Sequence, residues 1–442
     1  MKSFTRCFSI HDRQVVANKK ARFLTFMMTE PQHLFDRPRY RSAHRPCVYP
    51  QIPMFHRLQS SNEDVEFEID TIRAAAKGKA VCIAAGDGLT YDRAIHAVAA
   101  EPAKYHKPPL LLPALGMEPH VQYHFGHAGW RLYRPLIAAF GDSLNSSTMQ
   151  VEDPPVSAYN MMRFDYQKLT RGICTWLRQL NETAGAISFG QHDQYATAAE
   201  RNIDFAWVYH FTYDFLFLFL DLLQSRRQNK SAHMDLLFRE FLPMARTQTA
   251  NKVNYSFMSI MQVYYGRALH PSISDLYHAL RTLPPERSEG PDGEGTNTGL
   301  DWFVEDLNCD IKEAVGGSNH VSPELVTKAV HKHRLLSTTN RGLMSFIHQG
   351  RKGPMAITKC MDTDVACIVA TLNEKVGKTW KEATRVNGSS KFGLDTRASA
   401  AMLPWDAVAR AMLKGSGGAD EDIYSFVERH VKNLAPWHVW KA

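Results

Sequence analysis

Several common site signatures are missing from this chain. It has no CxxC pair, and its seven cysteines are an odd number. That argues against a disulfide framework and a cysteine-bound zinc, and it points to a reducing intracellular setting, nuclear or cytoplasmic rather than secreted. There is no GxxxxGK[ST], no GxGxxG after a strand and no HExxH, so nucleotide cradles and zincin-type metal sites lack a signature. Gly-x-Ser-x-Gly is also absent, which removes the hydrolase elbow. Lys77-Gly78-Lys79-Ala80 is a basic turn and not a phosphate loop. The start, MKSFTRCFSIHDR, lacks the apolar core of a signal peptide. The longest apolar stretch, Ile203 to Leu223, is interrupted by Asp204, His210, Asp214 and Asp221. Charges inside a bilayer span are costly and rare, so the expectation is a buried helix and no membrane partner. No internal repeat is evident.

What is present fits an ordinary globular protein. The 442 residues are 44% apolar and 22% charged, enough for two or three domains with a sizeable core. The net charge of +7, with an isoelectric point near 8.9, is compatible with a polyanion such as nucleic acid but does not demand one.

The most informative stretch runs from Lys79 to Arg131. An apolar run, Ala80 to Ala85, ends in Gly86-Asp87-Gly88, and Ala94, Ile95, Val98 and Ala99 follow at helical spacing. A second apolar run, Leu110 to Leu115, leads to Glu118, His120, His124 and His127. Short apolar runs flanking a helix predict a β-α-β unit with parallel strands. Open α/β sheets bind and react at the carboxyl ends of their strands, where Asp87 and the Glu/His group fall. A plain turn, with Asp87 capping the next helix, explains the same Gly-Asp-Gly.

Around this core the chain divides by pattern. Residues 1–64 read as an irregular N-terminal arm, rich in breakers such as Pro38, Pro46, Pro50 and Pro53. Residues 65–140 form the α/β core, with a short helix over Val65–Ala76 and another over Gly129–Phe140. Residues 141–283 read as a large all-helical insertion. The linker, residues 284–299, is dominated by Pro, Gly and Glu. Residues 300–345 carry returning helices. The first, Leu300 to Val315, shows an apolar stripe of Trp302, Phe303, Leu307 and Ile311 and stops at Gly316-Gly317. Residues 346–442 are mixed helix and loop with a basic cast from Lys352, Lys359, Lys375, Lys378, Lys381 and Lys391. The chain is therefore expected to be mostly α.

Three patches, taken together, resemble the domain of unknown function 6589 family: Gly86-Asp87 with Leu89 and Thr90, the Asn254-Tyr255 pair, and Leu300, Asp301, Glu305, Leu307 and Asn308. The resemblance covers roughly residues 75–340. At the second strand end this chain departs from the family, having Gly116-Met117-Glu118-Pro119-His120. More distantly, an Asp after a strand, a helix, a second strand, a His-bearing motif, a long helical insertion and a helical Glu resemble part of an RNase H-like transposase core.

The second resemblance implies a mechanism. Such transposases hold two divalent metals between three carboxylates, and the metals activate a nucleophile and stabilise the leaving oxygen. It implies Asp87 and Glu305 as catalytic and metal-binding residues, with Mg²⁺ or Mn²⁺ as the hard cation that carboxylates suit. The first acidic ligand has no obvious counterpart: Asp64 and Asp70 follow no convincing strand, so the chain reads as an RNase H-like remnant. His124 and His127 share a helical face at i, i+3 and are candidate metal ligands, for zinc with His120 as a third, or else capping histidines. Glu118, Asp301 and Asn308 are further candidates. Two functions follow: a transposon-derived nucleic-acid-binding protein with a metal-dependent nuclease or transposase site, complete or incomplete in its ligands, or a non-enzymatic helical scaffold for protein partners.

Overall fold

The structure, a computed structural model, describes residues 13–31, 34, 40–41, 61–79, 81–86, 88–105, 107–115, 129, 133–141, 158–184, 192–228, 230–245, 275, 278, 282–283, 294–295, 298–299, 355–387 and 389–393. These residues are mostly helical. The chain falls into two compact units. One comprises Met1–Pro38, His120–Val263 and Met355–Ile423; the other comprises Arg39–Pro119, Tyr264–Pro354 and Tyr424–Ala442.

The described elements of the first unit are all helices. Helix α1 spans Arg13–Met28, inside the stretch expected to be irregular. Residues 133–141 are helical, as the sequence predicts. Helices α5 (Ala158–Ala184) and α6 (His192–Arg201) follow. Then Ile203–His210, a π-helical turn Phe211–Leu216 and Phe217–Arg227 run on as one helix, α7. Helix α8 (Ser231–Ala245) comes next, then α9 (Met355–Lys375) and the short α10 (Trp380–Ala383).

Helix α7 is the centre of this unit. It is long and apolar enough to cross a membrane, and most of it is buried inside the fold. Apolar side chains all around its axis find partners on every side. Phe211, Phe215 and Phe219 stack in a row, and Tyr166 of α5 meets each ring within 6.4 Å. On another side Phe23 and Phe26 of α1 pack on Phe217. Aromatic contacts of this kind add to the area they bury, and they account for the helix lying inside the protein. In the π-helical turn, the Phe217 N–H donates to the Thr212 carbonyl, five residues back. The Tyr133 hydroxyl donates to the His210 carbonyl at 3.1 Å. A carbonyl oxygen has two lone pairs, so the His210 carbonyl can take this outside donor at the start of the π turn.

Helices α5 and α9 approach closely through a glycine. A Cβ on Gly172 would lie 2.6 Å from Ile368 Cγ2, so glycine there sets the spacing. Lys168 pairs with Asp364 at 2.5 Å across the same seam.

The second unit holds the α/β segment. Helix α2 (Asn62–Ala75) begins at Ser61, whose Oγ accepts from the Asp64 N–H. Strand β1 (Val81–Gly86), helix α3 (Gly88–Ala100), the short α4 (Pro102–Tyr105) and strand β2 (Leu110–Leu115) follow. The strands pair in parallel, from Val81 opposite Leu110 to Gly86 opposite Leu115. Val65 and Ile69 of α2, Cys82 of β1, Ala94, Ala97 and Val98 of α3, Tyr105 and Leu111 make its core. Small alanines on α3 let the helix lie close over the strands. Arg73 fastens the return to β2. Its guanidinium donates to the carbonyls of Lys104, Lys107 and Pro109, and it lies over the Tyr105 ring. Thr282–Leu283, just before the stretch read as a linker, pairs antiparallel with Thr298–Gly299 inside it, and Glu294–Gly295 pairs antiparallel with Tyr40–Arg41. Two paired strands with helices against them make a β-α-β unit; they do not by themselves define an RNase H-like sheet.

Candidate functional site

The parallel register brings Gly86 and Leu115 to the same edge of the strand pair. In sequence, Asp87 stands between the last residue of β1 and the first of α3, and Glu118 comes three residues after the end of β2. That is the edge where an open α/β arrangement presents its chemistry. Asp87, Glu118, His120, His124, His127, Asp301, Glu305 and Asn308 all lie outside the described residues. Among the described residues, no three His, Cys, Asp or Glu side chains are grouped so as to hold a metal ion.

The described residues do assemble a different charged cluster, in the helical unit. Its acids are Asp214 and Asp221 on α7 and Glu240 on α8. Its bases are Lys19 and Arg22 on α1, His210 on α7 and His233 on α8. Lys19 Nζ lies 2.5 Å from Asp214 Oδ1, and His210 Nδ1 lies 2.8 Å from Asp214 Oδ2. Arg22 is 5% exposed and forks, donating through Nη1 to Asp221 at 3.4 Å and through Nη2 to Glu240. His233 Nε2 stands 3.0 Å from Asp221 Oδ2, and Ser225 Oγ donates to Asp221 Oδ1. Asn18 Nδ2 donates to Glu240 Oε1 at 3.2 Å.

The charges explain one another. Burial alone would push the Asp214 carboxyl up, but the Lys19 ammonium and the His210 contact overcome it and hold it well below the usual carboxylate range. Asp221 is also held down: burial opposes ionisation, and His233, Arg22 and Ser225 together prevail. Tyr133 behaves in the opposite way, since burial and then the nearby Asp214 charge push its hydroxyl well up, so it acts as a donor. Buried ion pairs of this kind return little net stability against an apolar equivalent, yet they fix which helices meet and in what register.

A second buried acid works as an anchor. Asp204, fully buried near the start of α7, accepts from Asn387 Nδ2 at 3.0 Å, from Ser390 Oγ and from the Lys391 N–H at 2.9 Å. Three donors from one loop satisfy the carboxylate.

In the sequence, Asp204, His210, Asp214 and Asp221 read only as interruptions of an apolar run. Their spacing carried a usable signal: 210, 214 and 221 recur at steps of four and seven, which puts them on one helical face. The partners Lys19 and Arg22, three apart, sit in a stretch that reads as irregular.

No protein-family description matches this chain, and neither a curated protein nor a solved structure matches it.

Proposed function

We propose that the chain is a transposon-derived nucleic-acid-binding protein, related to the domain of unknown function 6589 family, whose α/β unit is an RNase H-like remnant with a large helical insertion. The observation that supports this reading is the in-register parallel ending of β1 and β2 at Gly86 and Leu115, each followed within three residues by a carboxylate in the sequence. Asp87 and Glu305 are the residues we assign to a divalent cation, Mg²⁺ or Mn²⁺, with His124 and His127 as further ligands or as a separate zinc pair. Carboxylates suit hard cations, and such cations in pairs activate a nucleophile and stabilise a leaving oxygen in phosphoryl transfer. Glu118, His120, Asp301 and Asn308 fall in the same motifs and would complete or orient the ligand set.

Calorimetric titration of the full chain with Mn²⁺ tests the assignment. Binding that Asp87→Ala and Glu305→Ala each weaken supports it. Unchanged affinity in both variants leaves the alternative, a non-enzymatic scaffold for protein partners. The buried cross-linking of α1, α7 and α8 by Arg22 favours that alternative, since a rigid helical body is what a scaffold needs.

A further inference from the structure

The stretch from Lys375, the last residue of α9, to Gly393 carries five basic side chains, Lys375, Lys378, Lys381, Arg385 and Lys391, against one carboxylate, Glu382. We propose that this stretch is a preformed face for the phosphate backbone of a nucleic acid, with Lys378, Lys381, Arg385 and Lys391 as the contact residues. The inference rests on the nucleic-acid-binding reading above, but it does not depend on the metal site.

The backbone of the stretch is pinned at almost every step. Trp176 Nε1 donates to the Gly377 carbonyl at 3.0 Å, and the Trp380 N–H donates to Thr183 Oγ1 at 3.0 Å. The Trp380 ring turns inward, edge-on to Tyr195 at 5.4 Å and to Phe205 at 5.9 Å. Asn202 Nδ2 donates to the Arg385 carbonyl, and the Asn387 N–H donates to the Arg201 carbonyl. Asp204 then gathers Asn387, Ser390 and Lys391. Gly377, at φ +151°, makes the turn; a Cβ there would lie 2.7 Å from Glu382 Cβ.

The charged side chains are treated differently. Lys378, Lys381, Arg385 and Lys391 are all exposed, and none forms an ion pair among the described residues. Lys375 leans toward Glu374, and the Glu382 carboxylate accepts from the Lys378 N–H. Lys381 lies on α10, Lys378 just before its cap Thr379 and Arg385 just after its end at Thr384, so the three cations fall within eight residues of one ordered turn. The backbone that carries the four cations is already ordered, so binding orders only their side chains, and each phosphate they neutralise releases a counterion. A lipid surface fits less well. The one tryptophan of the stretch is packed inward, and Val386 is its one exposed large apolar side chain among the described residues.

The test uses the full chain and fluorescence anisotropy with a random-sequence duplex of about 30 base pairs and its single strand, over a range of salt. A K378Q/K381Q/R385Q/K391Q variant should bind at least about tenfold more weakly, and the slope of log affinity against log salt should shrink by about 3. A control with the same loss of charge, K20Q/K77Q/K79Q/K107Q, should change affinity by less than about twofold. Equal losses in both variants mean that only overall charge matters, and that overturns the proposal. So does unchanged binding in the first variant, or loss confined to phosphatidylserine vesicles. Circular dichroism and the melting temperature check folding, and Arg385→Gln alone should still lower affinity by about twofold or more. No binding by the unsubstituted chain would overturn the nucleic-acid reading itself, while the Mn²⁺ titration of the Asp87 and Glu305 variants judges the metal assignment separately.

Discussion

Lys19 and Asp214 stand 195 residues apart in the chain and meet at 2.5 Å, with the aspartate side chain only 6% exposed. Helix α1 is therefore joined to α7 by charge as well as by Phe23 and Phe26. An unpaired acid in that place would be costly, so the two helices specify each other.

The first prediction concerns acid. The Asp214 carboxyl is held below its ordinary value, so its contribution is present above the ordinary carboxylate range and is lost as pH falls through and below it. The melting temperature should fall on acidification from about pH 6 to about pH 3, and Asp214→Asn should flatten that dependence. The residual slope belongs to Asp221, whose shift has the same sign. At neutral pH, Asp214→Asn should cost about 3 kcal/mol, the lower end of the range for breaking a buried pair, because Lys19 reaches water. Equal slopes in variant and parent would show that the pair does not govern acid stability.

Arg22 serves two carboxylates at once, Asp221 and Glu240. Arg22→Met should destabilise by about 3–5 kcal/mol in urea unfolding, since two buried acids lose their cation. Arg22→Lys should recover only part of this, because an ammonium lacks the fork. Replacing all three residues by apolar ones of similar volume should restore most of the loss. If the triple variant is as unstable as Arg22→Met, packing of the guanidinium, rather than its charge, was the dominant contribution.

Gly172 sets two effects against each other. Alanine in a helix interior gains up to about 1 kcal/mol over glycine. The new methyl would meet Ile368, a fully buried residue, at 2.6 Å. Overpacking of this kind costs about 1–3 kcal/mol, and here it should win because Ile368 has no room to move. Gly172→Ala should lower the urea midpoint with an unchanged slope; a raised midpoint would mean that α5 and α9 separate freely.

Asp204→Ala removes the acceptor for three donors of the loop 387–391. Hydrogen exchange at Lys391, whose N–H is one of them, should accelerate by about tenfold or more, equivalent to about 1.4 kcal/mol or more. The slow exchange of α7 should persist. Protection of Lys391 that survives the substitution would place the anchor elsewhere.

Some helices read from composition and period fall among the described residues and are observed there; the helix read over Leu300–Val315 lies outside them. Val65–Ala76 and the 203–223 stretch carry periodicity, or apolar character on all sides, that no strand could satisfy. They form α2 and α7. The β-α-β unit was legible for the same reason: six-residue apolar runs flanking a small-residue helix have one low-cost arrangement, and β1 and β2 adopt it in parallel. Helix α1 was not legible. Lys19 and Arg22 on its inner side break the apolar stripe by which a sequence announces a helix.

The candidate carboxylates Asp87 and Glu305 were named from motif and order, and their meeting is a matter for the metal titration. The described cluster of Asp214, Asp221, Glu240, Lys19 and Arg22 shows why order alone does not supply such pairings. Local periodicity places a side chain on a face of its own helix, and the π-helical turn Phe211–Leu216 shifts even that placement within α7. By itself, then, the sequence determined that the 203–223 stretch would be a buried helix interrupted by acids. That Lys19 and Arg22 would meet those acids was decided only when α1 packed against α7 and α8, because burying a charge depends on what arrives opposite it.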